Sequence, residues 1–239
     1  MEFMKFLLKC TLPLLAMWFA TVAKVSGATT VNWGSSLDSV LRDSYGNTLG
    51  PDMHFQLGTF ANSFIPTFEN MADWKDNWRV FDEALYFPEY GWFVGSADID
   101  KTTGHSSSAA ATGDSDTFDF RNKNAFLWVF NDQTPEVWTT QWTLVRDSSW
   151  VFPVPELTCC DTSIPQEWSL SELGPGDTPV FGRTGDEEGG GTSYAESPSY
   201  DLQTYSLVPE ISSVPAMVAV VLLVGCHRDR KRKHTVPQA

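Results

Sequence analysis

The stretch Ala125-Phe-Leu-Trp-Val-Phe-Asn131 is apolar at every position from Ala125 to Phe130. Successive side chains of a strand point to opposite faces, so such a strand is apolar on both sides and is expected in the middle of a sheet. The next apolar stretch, Trp138-Thr-Thr-Gln-Trp-Thr-Leu-Val145, alternates instead, with Thr139, Gln141 and Thr143 on one face. This alternation predicts an antiparallel sheet with one face in water.

Further strands are predicted on both sides of this pair, at residues 29–33, 54–60 and 150–152, with a hairpin over residues 87–91. One short helix is predicted behind Thr67, because Phe68, Met71, Trp74 and Trp78 recur at helical spacing. The pattern predicts one all-β domain over residues 29–173, an antiparallel β-sandwich of the jelly-roll-like kind with one short helix.

A polar insert over residues 96–115 is predicted to be a long surface loop. Within it, Asp98, Asp100 and Thr102 place oxygen atoms at alternate positions before Gly104, as calcium-binding loops do. Calcium is the one cofactor that this pattern allows. However, Lys101 interrupts the run and no glutamate closes the loop at the usual distance, which favours a solvated acidic loop.

Residues 174–207 are rich in Gly, Ser, Pro, Asp and Glu. A segment of that composition has little apolar surface to offset the conformational entropy lost on folding. We therefore expect a flexible acidic spacer that separates the domain from whatever follows it.

The N-terminal residues have the features of a secretory signal peptide. Lys5 and Lys9 precede an apolar run over residues 11–23, and Ser26-Gly-Ala28 supplies small residues at a cleavage site. We expect a signal peptide over residues 1–28, cut after Ala28.

The C-terminal residues combine three features in a fixed order. Pro209-Glu210 comes first and an apolar run follows, ending at Cys226. The run, counted from Ile211, would span roughly 24 Å as a helix, against about 30 Å for a hydrocarbon core. A basic cluster then follows, which keeps the end of the chain on the cytoplasmic side, and residues 234–239 form a tail. The cluster consists of Arg228, Arg230, Lys231, Arg232 and Lys233.

This order resembles the PEP-CTERM sorting signal of Gram-negative bacteria, here over residues 208–233, although Ile211 replaces the second proline of the motif. The resemblance implies export through the Sec translocon, a transient stay in the inner membrane and cleavage by an exosortase near Pro209-Glu210. The product would reach the cell surface or the extracellular matrix, with extracellular polysaccharide as a further partner. The alternative is a plain single-pass membrane anchor.

The domain also resembles small exported proteins that carry this signal and have no established activity. The resemblance rests on Trp33 with the turn at residues 43–47, and on residues 55–60, 74–78, 125–131 and 149–153.

Residues 29–208 carry 8 Lys and Arg against 27 Asp and Glu, a net charge of −19. So acidic a surface repels the phosphate backbone, which excludes nucleic acid as a partner. Cysteine is scarce, since only Cys159 and Cys160 lie outside the two end segments, and this excludes a disulfide scaffold.

Candidates for catalysis are few. His54 and His105 are the only histidines outside the end segments, and no hydrolase motif accompanies them. Two alternatives involve sugars: a carbohydrate-binding module that uses exposed tryptophans, and a glycoside hydrolase that pairs carboxylates among Glu89, Asp132 and Glu136. Most tryptophans fall on predicted inner faces, which favours core packing. We therefore expect an exported cell-envelope or matrix protein without catalytic activity.

Overall fold

The computed structural model describes residues 27–61, 63–135, 139–155, 164–195 and 200–207. Most of the predicted signal peptide and the whole predicted sorting signal, with Pro209, Glu210 and the basic cluster, lie outside these residues. Ala28 is the first residue of the first strand, where it pairs with Asp100. Within the part of the chain that the structure describes, no helix combines the length and apolar character needed to cross a membrane.

The described residues form thirteen short strands and little helix. The strands are β1 (Ala28–Gly34), β2 (Leu41–Arg42), β3 (His54–Phe60), β4 (Trp78–Glu83), β5 (Leu85–Phe87), β6 (Trp92–Asp100), β7 (Phe126–Phe130), β8 (Gln141–Val145), β9 (Gln166–Ser169), β10 (Arg183–Thr184), β11 (Glu187–Glu188), β12 (Leu202–Gln203) and β13 (Tyr205–Ser206). The helical elements are one α-helix, α1 (Trp74–Asn77), and 3-10 helices at Phe68–Asp73, Gly113–Ser115 and Leu170–Glu172. The all-β prediction is confirmed.

The strands form three sheets. The first has the order β5-β6-β1-β9, the second β13-β8-β7-β3-β4 and the third, a small one, β11-β10-β12-β2. The prediction of purely antiparallel pairing is wrong at two places, because β1 pairs with β9 and β2 pairs with β12 in parallel. Each parallel pair joins segments more than 100 residues apart, so no hairpin forces the two strands to run in opposite directions.

Strand β7 occupies the centre of the second sheet, as its two-sided apolar pattern predicts. Leu127 and Val129 point into a core between the first and second sheets. Trp128 and Phe130 point the other way, into a second core. The second sheet is therefore buried on both faces, and the molecule has three layers.

The second core is built largely of tryptophan. Trp74, Trp78 and Trp142 surround the ring of Trp128, with centroids 5.2 to 5.9 Å from it and planes nearly perpendicular to it. Edge-to-face contacts of this kind stabilise aromatic pairs beyond the apolar area that they bury. Trp74 comes from α1, so the short helix covers the outer face of the second sheet.

The predicted helix is confirmed as a 3-10 turn followed by α1. Its first turn is capped, since the Thr67 N–H donates to Asn70 Oδ1 at 2.8 Å. Trp78, predicted as the last helical residue, instead begins β4 and pairs with Phe60. The helix ends there because Trp78 has extended backbone angles, with φ −70° and ψ 138°.

The polar face predicted for β8 does not lie in water. Thr143 is fully buried and Gln141 nearly so. The Gln141 side chain accepts the Ser44 N–H at 3.0 Å and the Thr204 hydroxyl at 3.0 Å, and donates to the Ser44 hydroxyl at 2.8 Å. A polar strand face is therefore satisfied by chain segments that lie far away in the sequence.

The prediction of a flexible spacer at residues 174–207 is wrong, because this segment contains β10 to β13. Phe181 and Leu202 are fully buried there, and Tyr205 and Leu207 complete the second core. These apolar anchors are accompanied by buried hydrogen bonds, such as Thr143 Oγ1 to the Gln203 carbonyl at 2.9 Å, although Gln203 Oε1 and Ser206 Oγ have no hydrogen-bond partner among the described residues. The domain therefore extends to Leu207 instead of ending at residue 173.

The glycines of this segment have a packing role. A Cβ atom on Gly190 would lie 2.3 Å from the Phe68 ring, and one on Gly191 would lie 2.5 Å from the Phe181 ring. Gly191 also has a positive φ of 92°. The glycines allow the backbone to approach aromatic rings closely, whereas their composition alone predicted flexibility.

We predict that a chain truncated after Leu173 does not unfold cooperatively. The truncation removes Phe181, Tyr205 and Leu207 from the second core, and the tryptophans of that core become exposed to water. A chain truncated after Leu207 is the matched control and should unfold in one transition. Thermal unfolding followed by near-ultraviolet circular dichroism measures both. A cooperative transition in the shorter chain would show that residues 174–207 do not belong to the domain.

The substitution Gln141→Leu should lower the free energy of unfolding by about 3 kcal/mol, because it leaves the Ser44 N–H and the Thr204 hydroxyl buried without partners. Gln166→Leu, at an exposed position of β9, should change it by less than about 0.5 kcal/mol. Urea denaturation of both variants checks the difference. Equal effects would mean that the polar network at Gln141 contributes nothing specific.

Candidate functional site

The described residues form an open groove of about 930 Å³. Its walls come from five parts of the chain: the end of β3, the loop after it, the segment before β7, the residue after β8 and the beginning of the C-terminal layer. The lining residues are Thr59, Phe60, Ser63, Phe64, Ile65, Pro66, Phe118, Asp119, Arg121, Asn122, Lys123, Asn124, Phe126, Arg146, Thr178 and Val180. This volume lies near the upper end of the range of about 300 to 1,000 Å³ that is usual for ligand pockets.

The groove is unusually basic for this protein. Arg121, Lys123 and Arg146 are three of the eight Lys and Arg residues of residues 29–208, while Asp119 is the only carboxylate among the lining residues. Of these three cations, only Arg121 forms an ion pair with an acid among the described residues. Lys123 and Arg146 form no ion pair within the described residues, although the charge of Lys123 interacts with the Asp119 carboxylate and helps to lower its pKa.

Arg121 holds the floor of the groove together. Its Nε and Nη2 atoms donate to the two oxygens of Asp119 at 2.8 and 2.6 Å, and Nη1 donates to the carbonyls of Lys101 and Thr102 at 3.0 and 3.3 Å. A bidentate pair of this geometry fixes orientation as well as charge. Arg121 therefore anchors the segment before β7 to the turn that follows β6.

Aromatic rings form the apolar part of the groove. The Arg146 guanidinium lies over the Phe126 ring, 5.5 Å from its centroid. Phe60 contacts both Phe126 and Phe64, with centroids 5.5 and 5.4 Å apart. Since Phe64, Phe118 and Phe126 are only half-buried, parts of these rings face the groove.

Two residues of the groove have strained or specialised backbone. Ser63 and Asn122 have φ values of 61° and 57°, and they are the only non-glycine residues with positive φ among the described residues. Asn tolerates this conformation, whereas for Ser it costs of the order of 1 kcal/mol. Such strain tends to collect at binding sites, where the surrounding structure holds it in place.

The side chains of two predicted calcium ligands, Asp98 and Asp100, accept hydrogen bonds from protein donors. Asp98 and Asp100 lie in β6 instead of a loop, so the predicted surface loop begins later than expected. Asp98 Oδ1 accepts the Thr30 hydroxyl at 2.7 Å. Asp100 Oδ1 accepts three donors, among them the N–H of Thr102 at 2.9 Å, so Thr102 faces it as a donor. The described residues contain no group of three or more His, Cys, Asp or Glu side chains placed to hold a metal.

The tryptophans do not form a sugar-binding platform in the described residues. Core packing is confirmed for seven of them: Trp33, Trp74, Trp78, Trp128, Trp142, Trp150 and Trp168. Trp92 is half-buried on the outer face of the first sheet, where it stacks on Phe87 with centroids 4.4 Å apart. One of its ring faces is therefore covered by a neighbour.

Among the described residues, the candidate acids and bases are not brought into one cleft. Glu89 lies in the turn between β5 and β6, whereas Asp132 lies in the connection between β7 and β8 and caps the Thr134 N–H at 2.7 Å. Glu136 lies outside the described residues. His54 contacts Glu83 at 2.8 Å and stacks on Phe130, and the backbone carbonyl of His105 accepts the Asp100 N–H.

The fold and the groove define an all-β protein of three layers that carries a cationic groove on an acidic surface. Comparison of the chain with family models, curated proteins and solved structures gave no match.

Sequence reasoning did not find this groove. The one local signal is Arg121-Asn-Lys-Asn124, a polar and basic run within a strongly acidic chain. Arg146, Phe64 and Thr178 are distant in the sequence, and only folding brings them to the same groove.

The hydrogen bonds from Arg121 hold the pKa of the Asp119 carboxyl below its ordinary value. We predict that Arg121→Gln raises this pKa, as a carboxyl carbon NMR titration would show. Because the folded pKa is depressed, the stabilisation is present above the unfolded value of about 3.9 and is lost as the pH falls through the folded value. An unchanged pKa in the variant would contradict the assigned pairing; Asp147, which contacts no arginine in the described ion pairs, is the internal control.

Proposed function

We propose that this protein is an exported cell-envelope or extracellular-matrix protein, sorted by an exosortase and without catalytic activity of its own. The observation that carries the proposal is the order of Pro209-Glu210, apolar run and basic cluster, which begins directly after the folded domain. The export route would be the Sec translocon, with a transient stay in the inner membrane of a Gram-negative bacterium. A signal peptide cut after Ala28 would leave most of β1 in the domain.

The end of the domain supports this order of events. All strands of the described residues precede Pro209, and Leu207 is buried in the second core. Cleavage near Pro209-Glu210 would therefore release a domain that keeps both of its cores. The C-terminal helix would have served its purpose as a temporary anchor.

The absence of a spacer has a consequence for this step. Only three residues separate Leu207 from the apolar run at Ile211, and four residue steps reach at most about 14 Å when fully extended. While the helix is inserted, the domain would lie against the membrane surface. The cleavage site would then be close both to the membrane and to the last strand.

The finer fold class, jelly-roll-like, is also a proposal. It is supported by two facing sheets of four and five strands in which neighbours such as β1 and β6 come from distant parts of the chain. The parallel pairs and the small third sheet would be additions to that plan.

The other functions have less support. A plain single-pass anchor uses the same C-terminal residues but predicts no cleavage. A carbohydrate-binding module built on exposed tryptophans lacks those side chains among the described residues, where seven tryptophans are buried. A glycoside hydrolase requires two facing carboxylates, and Glu89 and Asp132 lie in connections of different sheets.

We predict that the protein recovered from the producing cell ends near Glu210 when the exosortase gene is present and at Ala239 when the gene is deleted. Intact mass and the C-terminal peptide measure this directly. Glu210→Gln should block cleavage, because it removes the charge of the motif, whereas Glu196→Gln, which removes one charge upstream of it, should not. A chain that ends at Ala239 in both strains would leave the plain anchor.

A further inference from the structure

We propose that the cationic groove binds a short segment of an acidic polysaccharide, with a sugar carboxylate held by Lys123 and Arg146. The site belongs to the folded domain, so the proposal does not depend on how the C-terminus is processed.

Charge complementarity is the first argument for this occupant. Lys123 is exposed and Arg146 is half-buried, and neither forms an ion pair in the described residues, although Lys123 interacts with Asp119 beyond ion-pair distance. A groove lined by two cations that form no ion pair is an exception in a domain of net charge −19. A carboxylate placed between them would form charge-assisted hydrogen bonds, which are about twice as strong as neutral ones.

The apolar part of the lining indicates a saccharide instead of a small inorganic anion. Sugars present C–H groups on one face of the ring, and the exposed parts of Phe64 and Phe118 offer apolar surface to receive them, whereas the Arg146 guanidinium covers one face of Phe126 and Phe60 covers one face of Phe64. An inorganic anion such as phosphate has no apolar face to place there. The rings would therefore contribute to binding only with an organic ligand.

The polar part of the lining fits hydroxyl groups. Asn122 and Asn124 carry exposed amides, which both donate and accept, and Thr178 carries an exposed hydroxyl. Side chains with both functions suit sugar hydroxyls, which also do both. The positive φ of Asn122 determines the direction in which its side chain leaves the backbone.

Arg121 acts as a positioning residue in this site. Its charge is already matched by Asp119, and its other donors hold the carbonyls of Lys101 and Thr102. It therefore fixes the segment that carries Asn122, Lys123 and Asn124 before any ligand arrives. A preformed site saves the entropy of ordering these side chains on binding.

The acidic surface around the groove restricts where on the domain a polyanion can bind. Polyanions are repelled by the domain as a whole, but salt at about 0.15 M screens charges beyond about 8 Å. A polyanion that binds must therefore do so through close contacts, and the groove has both Lys123 and Arg146 in its lining.

The test is calorimetric titration of the full chain in a non-ionic detergent with trigalacturonate. Its fully methyl-esterified form, which has the same rings but no charge, and inorganic phosphate are the comparison ligands. We expect trigalacturonate to bind and to shift the side-chain amide NMR signals of Asn122 and Asn124. The ester and phosphate should bind at least about tenfold more weakly.

The variant Lys123→Gln with Arg146→Gln should weaken trigalacturonate binding at least about tenfold, since contacts to charged groups commonly contribute that much each. Lys75→Gln, an exposed cation on α1 away from the groove, is the matched control and should bind within about twofold of the unchanged protein. Unfolding temperatures of the variants show that the fold is intact.

Four results would overturn the proposal. If trigalacturonate does not bind, the groove is not a site for an acidic saccharide. If the ester binds equally well, the carboxylate charge does not contribute to binding. If phosphate binds equally well, the site does not recognise a saccharide. An equal loss in Lys75→Gln would show that the anion binds the surface without preference for the groove.

Discussion

The burial of β7 on both faces is the constraint on which the rest of the structure depends. Leu127 and Val129 require one covering layer, and Trp128 and Phe130 require another. The first sheet supplies the first layer. A short helix, which contributes Trp74, and the C-terminal segment, which contributes Phe181, Tyr205 and Leu207, together supply the second. The third layer is therefore a consequence of a single strand with no polar face.

The third layer shows how a polar segment becomes part of a core. Gln141 and Gln203 reach across it with hydrogen bonds that join residues about 60 to 160 positions apart, from the Asp43-Ser44 turn to the last strands. These contacts replace the apolar area that residues 174–207 lack. Because the partners are side-chain amides and hydroxyls from separate segments, the network closes only when all of them are in place, which couples the end of the domain to its beginning.

The groove lies where the layers meet, and this explains its chemistry. Its walls come from the second sheet, from the segment that precedes β7 and from the beginning of the third layer, so its floor combines aromatic edges of the second core with cations of surface loops. A protein exported to a matrix of acidic polysaccharide would gain solubility from its net charge of −19. The cationic groove, which is a local exception to this negative charge, would hold the protein in the matrix.

The sequence alone determined the all-β class, the central place of β7, the capped helix behind Thr67 and the hairpin at residues 87–91, because these depend on local periodicity and turn chemistry. It also carried the targeting pattern at each end. Only the tertiary structure decided the boundary at Leu207, the burial of Gln141 and Thr143, the parallel pairs, and the presence of Lys123 and Arg146 in one groove. Composition is an average over a segment, whereas burial depends on which distant residues cover it. A segment that its composition predicted to be flexible is therefore folded, because a few of its aromatic side chains are buried and its glycines allow close packing.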